Sequence, residues 1–138
     1  MTVLAAYAPT DLGQRVVTVA AQEAVRRGTD LVLLNSATGS AYADPGLATE
    51  QQLRDAAALA ESQGATVTVR QVRDALAVAE TVLDEAGRSG AELVVIGLRS
   101  RSRTGKFLLG STAQTVLLRA SCDVLAVRPR TVLEESLS

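Results

Sequence analysis

The sequence predicts an α/β fold: a five-stranded, doubly wound parallel sheet with helices on both faces. Three observations predict it. Short Val/Leu-rich runs alternate with longer segments of helical spacing, which is the signature of βαβ units joined by right-handed crossovers. Most of those runs are continuously apolar instead of alternating, as strands covered on both faces must be. The chain has 138 residues, close to one ordinary domain, so one core is expected over 1–138, with 128–138 as a flexible tail.

The first run, Val3 to Ala8, is a buried strand, and Tyr7 within it reads as core. A helix follows, with Val16, Val19, Ala20 and Ala24 on one stripe and Gly28 as its C-terminal stop. Leu31 to Asn35 is the second buried strand. The loop from Ser36 to Leu47 contains Gly39, Pro45 and Gly46, and a helix from Leu47 to Gln63 ends at Gly64. The run Thr66 to Val72 alternates, with Val67, Val69 and Gln71 on one face, and is therefore the expected edge strand. A helix from Asp74 to Ala86 carries Leu76, Ala79, Val82 and Leu83 on one face, with Asp74 as N-cap and Gly87 and Gly90 closing it. Leu93 to Gly97 is the fourth strand. The last helix runs from Gly110 to Ala120, and Val124 to Val127 is the final strand.

Composition excludes several kinds of chemistry. The chain has no His, which removes Ser-His-Asp and Cys-His nucleophilic sites and any His-ligated metal. Its single Cys, Cys122, can form neither an intrachain disulfide nor a four-thiolate zinc site, and reads as a small buried residue. With no Trp and only Tyr7, Tyr42 and Phe107 as aromatics, there is no stacking platform for single-stranded nucleic acid. The net charge of −1 lacks the basic bias that DNA binding favours. No signal-peptide layout or membrane-spanning run is present, so a cytoplasmic protein with neither nucleic-acid nor membrane partners is expected.

Ligands of open parallel sheets bind beyond the carboxyl ends of the strands, where the strand order reverses. Three exits matter here: Ala8-Pro9-Thr10-Asp11, then Asn35-Ser36-Ala37-Thr38-Gly39, then the stretch from Gly97 to Thr112. In the third, Gly97 ends a buried strand, where a missing side chain lets a ligand or another backbone approach. Gly110-Ser111-Thr112 opens a helix, offering unpaired N–H groups and hydroxyls to an anion. Between them lie Arg99, Arg101, Arg103 and Lys106, and the 30 residues from Leu93 to Cys122 contain no acid. That local field suits phosphate. Known phosphate motifs do not fit: Ser100 and Phe107 break the P-loop pattern, and no G-x-G-x-x-G follows the first strand. A phosphoacceptor domain would need acids at the first and third strand exits, yet Arg70 and Arg73 sit near the third.

The spacing from Gly97 through Ser100 to Gly110-Ser111 resembles the G-x2-G-x9-G-[S/T] motif of the universal stress protein family. The closing Ala-Ser-Cys-Asp-Val-Leu-Ala-Val-Arg-Pro of residues 120–129 is also similar to that family's final strand. The resemblance implies a Rossmann-like sheet of order 3-2-1-4-5 and a homodimer formed through the last strand, Val124 to Val127. It also implies a cofactor, ATP or another adenine nucleotide such as AMP or cyclic AMP, with Mg2+ where ATP is bound, held by the ends of strands 1, 2 and 4. Carried over by position, Gly97, Arg99, Ser100, Gly110, Ser111 and Thr112 face the phosphates. Pro9, Thr10, Asn35, Ser36 and Ala37 supply backbone around the base.

Two positions depart from the family pattern. Ala8 stands where the family's ATP binders usually carry an Asp, with Asp11 three residues on, and Ser100 replaces a motif glycine. Losing a charge-assisted hydrogen bond costs on the order of 1.5–3 kcal/mol. Ser100 is strained only if its position needs positive φ. The expected function is nucleotide binding by a small stress-response protein; the alternative is a nucleotide-independent dimeric interaction module. With no general base in view, hydrolysis would at most be slow, so the residues point to a binder with no catalytic residues and no protein-bound metal.

Overall fold

The computed structural model of the chain describes residues 1–37, 46–73, 77–98, 100–101, 107–108 and 110–129. The element order is β1 (Thr2–Ala6), α1 (Asp11–Arg27), β2 (Asp30–Ser36), α2 (Glu50–Ser62), β3 (Val67–Val72), α3 (Val78–Ser89), β4 (Ala91–Gly97), β5 (Ser100–Arg101), β6 (Phe107–Leu108), α4 (Ser111–Arg119) and β7 (Asp123–Val127). Five of the strands form one parallel sheet of order β3-β2-β1-β4-β7, as the resemblance implied. The short β5 and β6 form a separate antiparallel pair within the basic loop, an element that its sequence does not signal.

Helices cover both faces. On one, α1 buries Val16, Val17, Ala20, Ala21 and Ala24 against Val3, Ala5, Leu31, Leu33, Leu93 and Val95. On the other, α3 and α4 set Ala79, Val82, Ala113 and Val116 against Leu4, Val32, Leu34, Val94 and Ile96. Successive residues of the central strands therefore feed opposite cores, which is why those strands read as unbroken apolar runs. Each fully buried Val or Leu contributes on the order of 1.5–3 kcal/mol. The small Ala side chains of α1 let it lie close on the sheet.

Several boundaries differ from expectation for local reasons. β1 stops at Ala6, because the carbonyl of Ala8 turns to accept the Thr10 N–H. Helix α2 begins at Glu50, not Leu47, since Thr49 and Gln52 form a reciprocal capping box. Helix α3 begins at Val78 and runs through Gly87 to Ser89; its N-cap is Ala77, without a side-chain hydrogen bond, and Asp74 and Leu76 lie outside the described residues. The C-caps Gly28 and Gly90 take φ of 67° and 64°, as the helix stops require. Strand β3 is an edge as predicted, although Val69 on its inward-reading face remains exposed. Arg70 from this edge pairs with buried Glu85 of α3 at 2.9 Å.

Candidate functional site at the strand exits

Because β1 lies between β2 and β4, their three C-terminal exits stand side by side. At the β1 exit the Tyr7 N–H still donates to Leu34 O (2.8 Å), after which the Ala8 carbonyl accepts from Thr10 N (2.8 Å). Thr10 is extended (φ −135°, ψ 168°) and caps α1, its hydroxyl accepting the Gly13 N–H at 3.0 Å. Gly13 is required at this point. A Cβ there would run into the carbonyl oxygen of Ala8 and sit 2.9 Å from its carbonyl carbon. Pro9 is half-buried and Thr10 exposed at this exit. Asp11 is the exposed first residue of α1 and lines a hollow along that helix.

At the β2 exit, Asn35, Ser36 and Ala37 are all buried. The Asn35 side chain uses its full hydrogen-bonding capacity. Its Nδ2 donates to the carbonyls of Tyr7 (2.9 Å) and Gly46 (2.7 Å). Its Oδ1 accepts from Ala48 N (3.0 Å) and Gln71 Nε2 (2.9 Å). Gln71 Nε2 also donates to the Ala48 carbonyl at 2.9 Å. One amide thus ties the β1 exit, the return of the β2–α2 loop and edge strand β3 together. Asn35 positions the exit, with every donor and acceptor of its side chain bonded within the chain. Beside this hub, Tyr7, Pro9, Gln14, Gln52 and Asp55 border a cavity of about 230 Å³. Burial, reinforced by the charge of Asp55, holds the Tyr7 phenol above its ordinary pKa and keeps it protonated.

The β4 exit holds a second close approach. A Cβ on Gly97 would lie 2.8 Å and 2.9 Å from Cδ2 and Cγ of Leu12, so what approaches this glycine in the structure is the first turn of α1. Leu98 N then donates to Val127 O at 2.8 Å, and the chain enters the β5–β6 pair, which sets Ser100 opposite Leu108 and Arg101 opposite Phe107. Ser100 is therefore in extended backbone, and no described non-glycine residue has positive φ. Replacing the motif glycine with serine carries no conformational cost. Arg99, Arg103 and Lys106 lie outside the described residues.

Helix α4 opens from Gly110 (φ −66°, ψ 160°), and among the described residues no side chain caps it. Its first intrahelical bond is Gln114 N to Gly110 O (3.0 Å), and its first turn contains no acid. The N–H groups of Ser111, Thr112 and Ala113 have no partner within the helix, and the helix dipole adds partial positive charge there. Among the described residues nothing lies within 4 Å of a Cβ built on Gly110. Among the described residues no cluster of three acidic or Cys side chains could hold a metal ion. Half-buried Cys122 has its thiol pKa pushed up by burial and by Asp123, the setting of an unreactive residue.

The sequence profile of the universal stress protein family matches residues 1–128. The chain belongs to the universal stress protein family. A universal stress protein of Mycolicibacterium smegmatis is 36% identical over 127 residues, covering 92% of this chain and 97% of that protein. A universal stress protein of Archaeoglobus fulgidus has a similar structure, with a TM-score of 0.77 at 29% identity over 91% of this chain and 96% of its own. A universal stress protein solved in complex with cAMP matches at a TM-score of 0.76 and 27% identity, covering 94% and 98%. An Archaeoglobus fulgidus member solved with dAMP matches at 0.68 and 25%, covering 91% and 95%. Sequence reasoning missed Gly13, Leu12 and Gln71 as shapers of this family's exits in the present chain. Only Gly13 carried a local signal, as a glycine within the first turn of a helix.

Proposed function

We propose that this universal stress protein binds an adenine nucleotide across the exits of β1, β2 and β4. The observation that carries the reading is the segment from Gly97 to Thr112: glycine-framed, basic, free of acids, and ending on the uncapped start of α4. The family members solved with dAMP and cAMP, similar over nearly the full length of both chains, support it. In this reading Gly97, Arg99, Ser100, Gly110, Ser111 and Thr112 take the phosphates. The backbones of Pro9, Thr10, Asn35, Ser36 and Ala37 surround the base and ribose. ATP, AMP and cyclic AMP are the candidate ligands, ATP carrying its own magnesium. A homodimer through β7 and a place in the cytoplasm complete the proposal.

Thermal melting tests it. A ligand at 100 times its Kd adds about 2.7 kcal/mol, which for a domain of this size raises Tm by several degrees. Arg99→Ala should reduce the shift. No shift with any of the three nucleotides at millimolar concentration refutes nucleotide binding. Ala8 favours a second reading, a nucleotide-independent interaction module, because it removes a carboxylate that ATP-binding relatives usually place there. Mass spectrometry of small molecules released from freshly purified protein separates the two: retained nucleotide removes the second reading.

A further inference from the structure

The chain leaving β1 delivers Tyr7 onto the face of the sheet that α1 and α2 cover. Its side chain is only 7% exposed, yet its hydroxyl makes no hydrogen bond among the described residues. No side-chain oxygen or nitrogen fully sealed from solvent lacks a partner there. The phenol oxygen is therefore not sealed: it opens into the cavity of about 230 Å³ that Tyr7 lines. Burying a hydroxyl without a partner is unfavourable, so a phenol in this place calls for a partner from outside the chain.

The rest of the lining selects the chemistry of that partner. Among the described residues Asp55 is the only charged side chain on the cavity, and its field reaches Tyr7. Asp55 Oδ1 accepts from Gln51 Nε2 at 2.7 Å, while Oδ2 has no hydrogen bond among the described residues. The wider hollow beside it shares Gln14 and Leu59 and adds Asp11 and Arg15, whose charges cancel, so the negative sign of the cavity stands. Pro9 and Leu59 supply apolar wall. The volume falls below the range of about 300–1,000 Å³ usual for drug-sized ligands, which restricts the occupant to a small molecule. Helix α4 packs on the opposite face of the sheet, so this cavity is separate from the phosphate-facing segment. We propose that it binds a small primary ammonium ion, its charge on Asp55, one N–H donated to the Tyr7 oxygen and a short hydrocarbon tail against Pro9 and Leu59.

The test titrates the isotopically enriched full chain, free of nucleotide, with n-propylammonium chloride and follows amide shifts. Sodium chloride at equal ionic strength, 1-propanol and sodium propionate are the comparisons. The expected result is saturable shifts at Tyr7, Gln52 and Asp55 with propylammonium, binding at least about tenfold weaker with 1-propanol, and none with propionate. Tyr7→Phe should weaken propylammonium about fivefold, and Asp55→Asn about tenfold or more. Both variants keep the fold, since the first removes a hydroxyl with no partner to lose and the second alters an exposed side chain. Shifts no larger than those with sodium chloride overturn the proposal, as do variants that bind like the wild type. Equal affinity for 1-propanol assigns the cavity to neutral hydroxyl compounds and likewise overturns it. None of these readouts depends on nucleotide binding.

Discussion

Replacing Gly13 with alanine should destabilise the protein, against the usual trend for a helix. In an unobstructed helix the substitution gains up to about 1 kcal/mol, because glycine has the greater backbone freedom to lose. Here the added methyl would collide with the Ala8 carbonyl and lie 2.9 Å from its carbon, with backbone and not a flexible side chain as the obstacle. Relief requires moving a turn held by the Thr10-to-Ala8 bond (2.8 Å) and the Gly13-to-Thr10 cap (3.0 Å). Overpacking of this kind costs about 3 kcal/mol, the upper end of its usual range. Loss of the cap adds about 1 kcal/mol. The helix gain offsets about one of these, leaving a net loss of about 3 kcal/mol and a fall in Tm of about 10 °C. Gly87 is the control. It too is helical, but nothing lies within 4 Å of its added Cβ, so Gly87→Ala should raise Tm by about 2–4 °C. Calorimetric melting of both variants decides it. A Gly13→Ala protein as stable as wild type would refute the inference that the start of α1 is pressed onto the β1 exit.

Asn35→Ala should cost about 2–4 kcal/mol in denaturant unfolding, since it strips partners from the buried Ala48 N–H and the Tyr7 carbonyl. Gly97→Ala should cost about 1–3 kcal/mol alone, and much less in a Leu12→Ala background, because the obstacle is the Leu12 side chain. A double-mutant cycle showing additive costs would contradict the contact. Cys122 should alkylate more slowly at neutral pH than free cysteine, speeding up only as pH rises past the ordinary thiol range. A thiol pKa raised in the folded state means protonation stabilises the fold, so this contribution is present at neutral pH and lost at high pH. Neutral-pH reactivity equal to that of the unfolded chain would contradict it.

The elements that build the sheet were readable because their signals are local. Leu31 to Asn35 and Leu93 to Gly97 are continuous apolar runs, and double burial is what writes such runs. The alternation of Thr66 to Val72 correctly marked an edge. The start of α2 was also present as Thr49-x-x-Gln52, a capping signature overlooked in favour of the apolar Leu47. What could not be read joins distant residues. The Asn35 and Gln71 amides meet across 36 positions, and Gly97 owes its missing side chain to Leu12, far back in the chain. Nothing in their own neighbourhoods encodes those contacts. The basic loop stood out by composition, while its β5–β6 pair of two residues per strand is too short to leave a period.

The Asn35 amide also sets how this end of the molecule can open. Since Tyr7, Gly46, Ala48 and Gln71 all bond to one buried side chain, the loop's return cannot loosen independently of β2 and β3. The Ala48 amide should therefore exchange with solvent deuterium at the slow rate of the central strands, whereas an ordinary loop amide exchanges through low-energy local fraying. The chain's return at Gly46 and Ala48 is thereby held to the sheet, so the floor of the exit opens only when the sheet itself does.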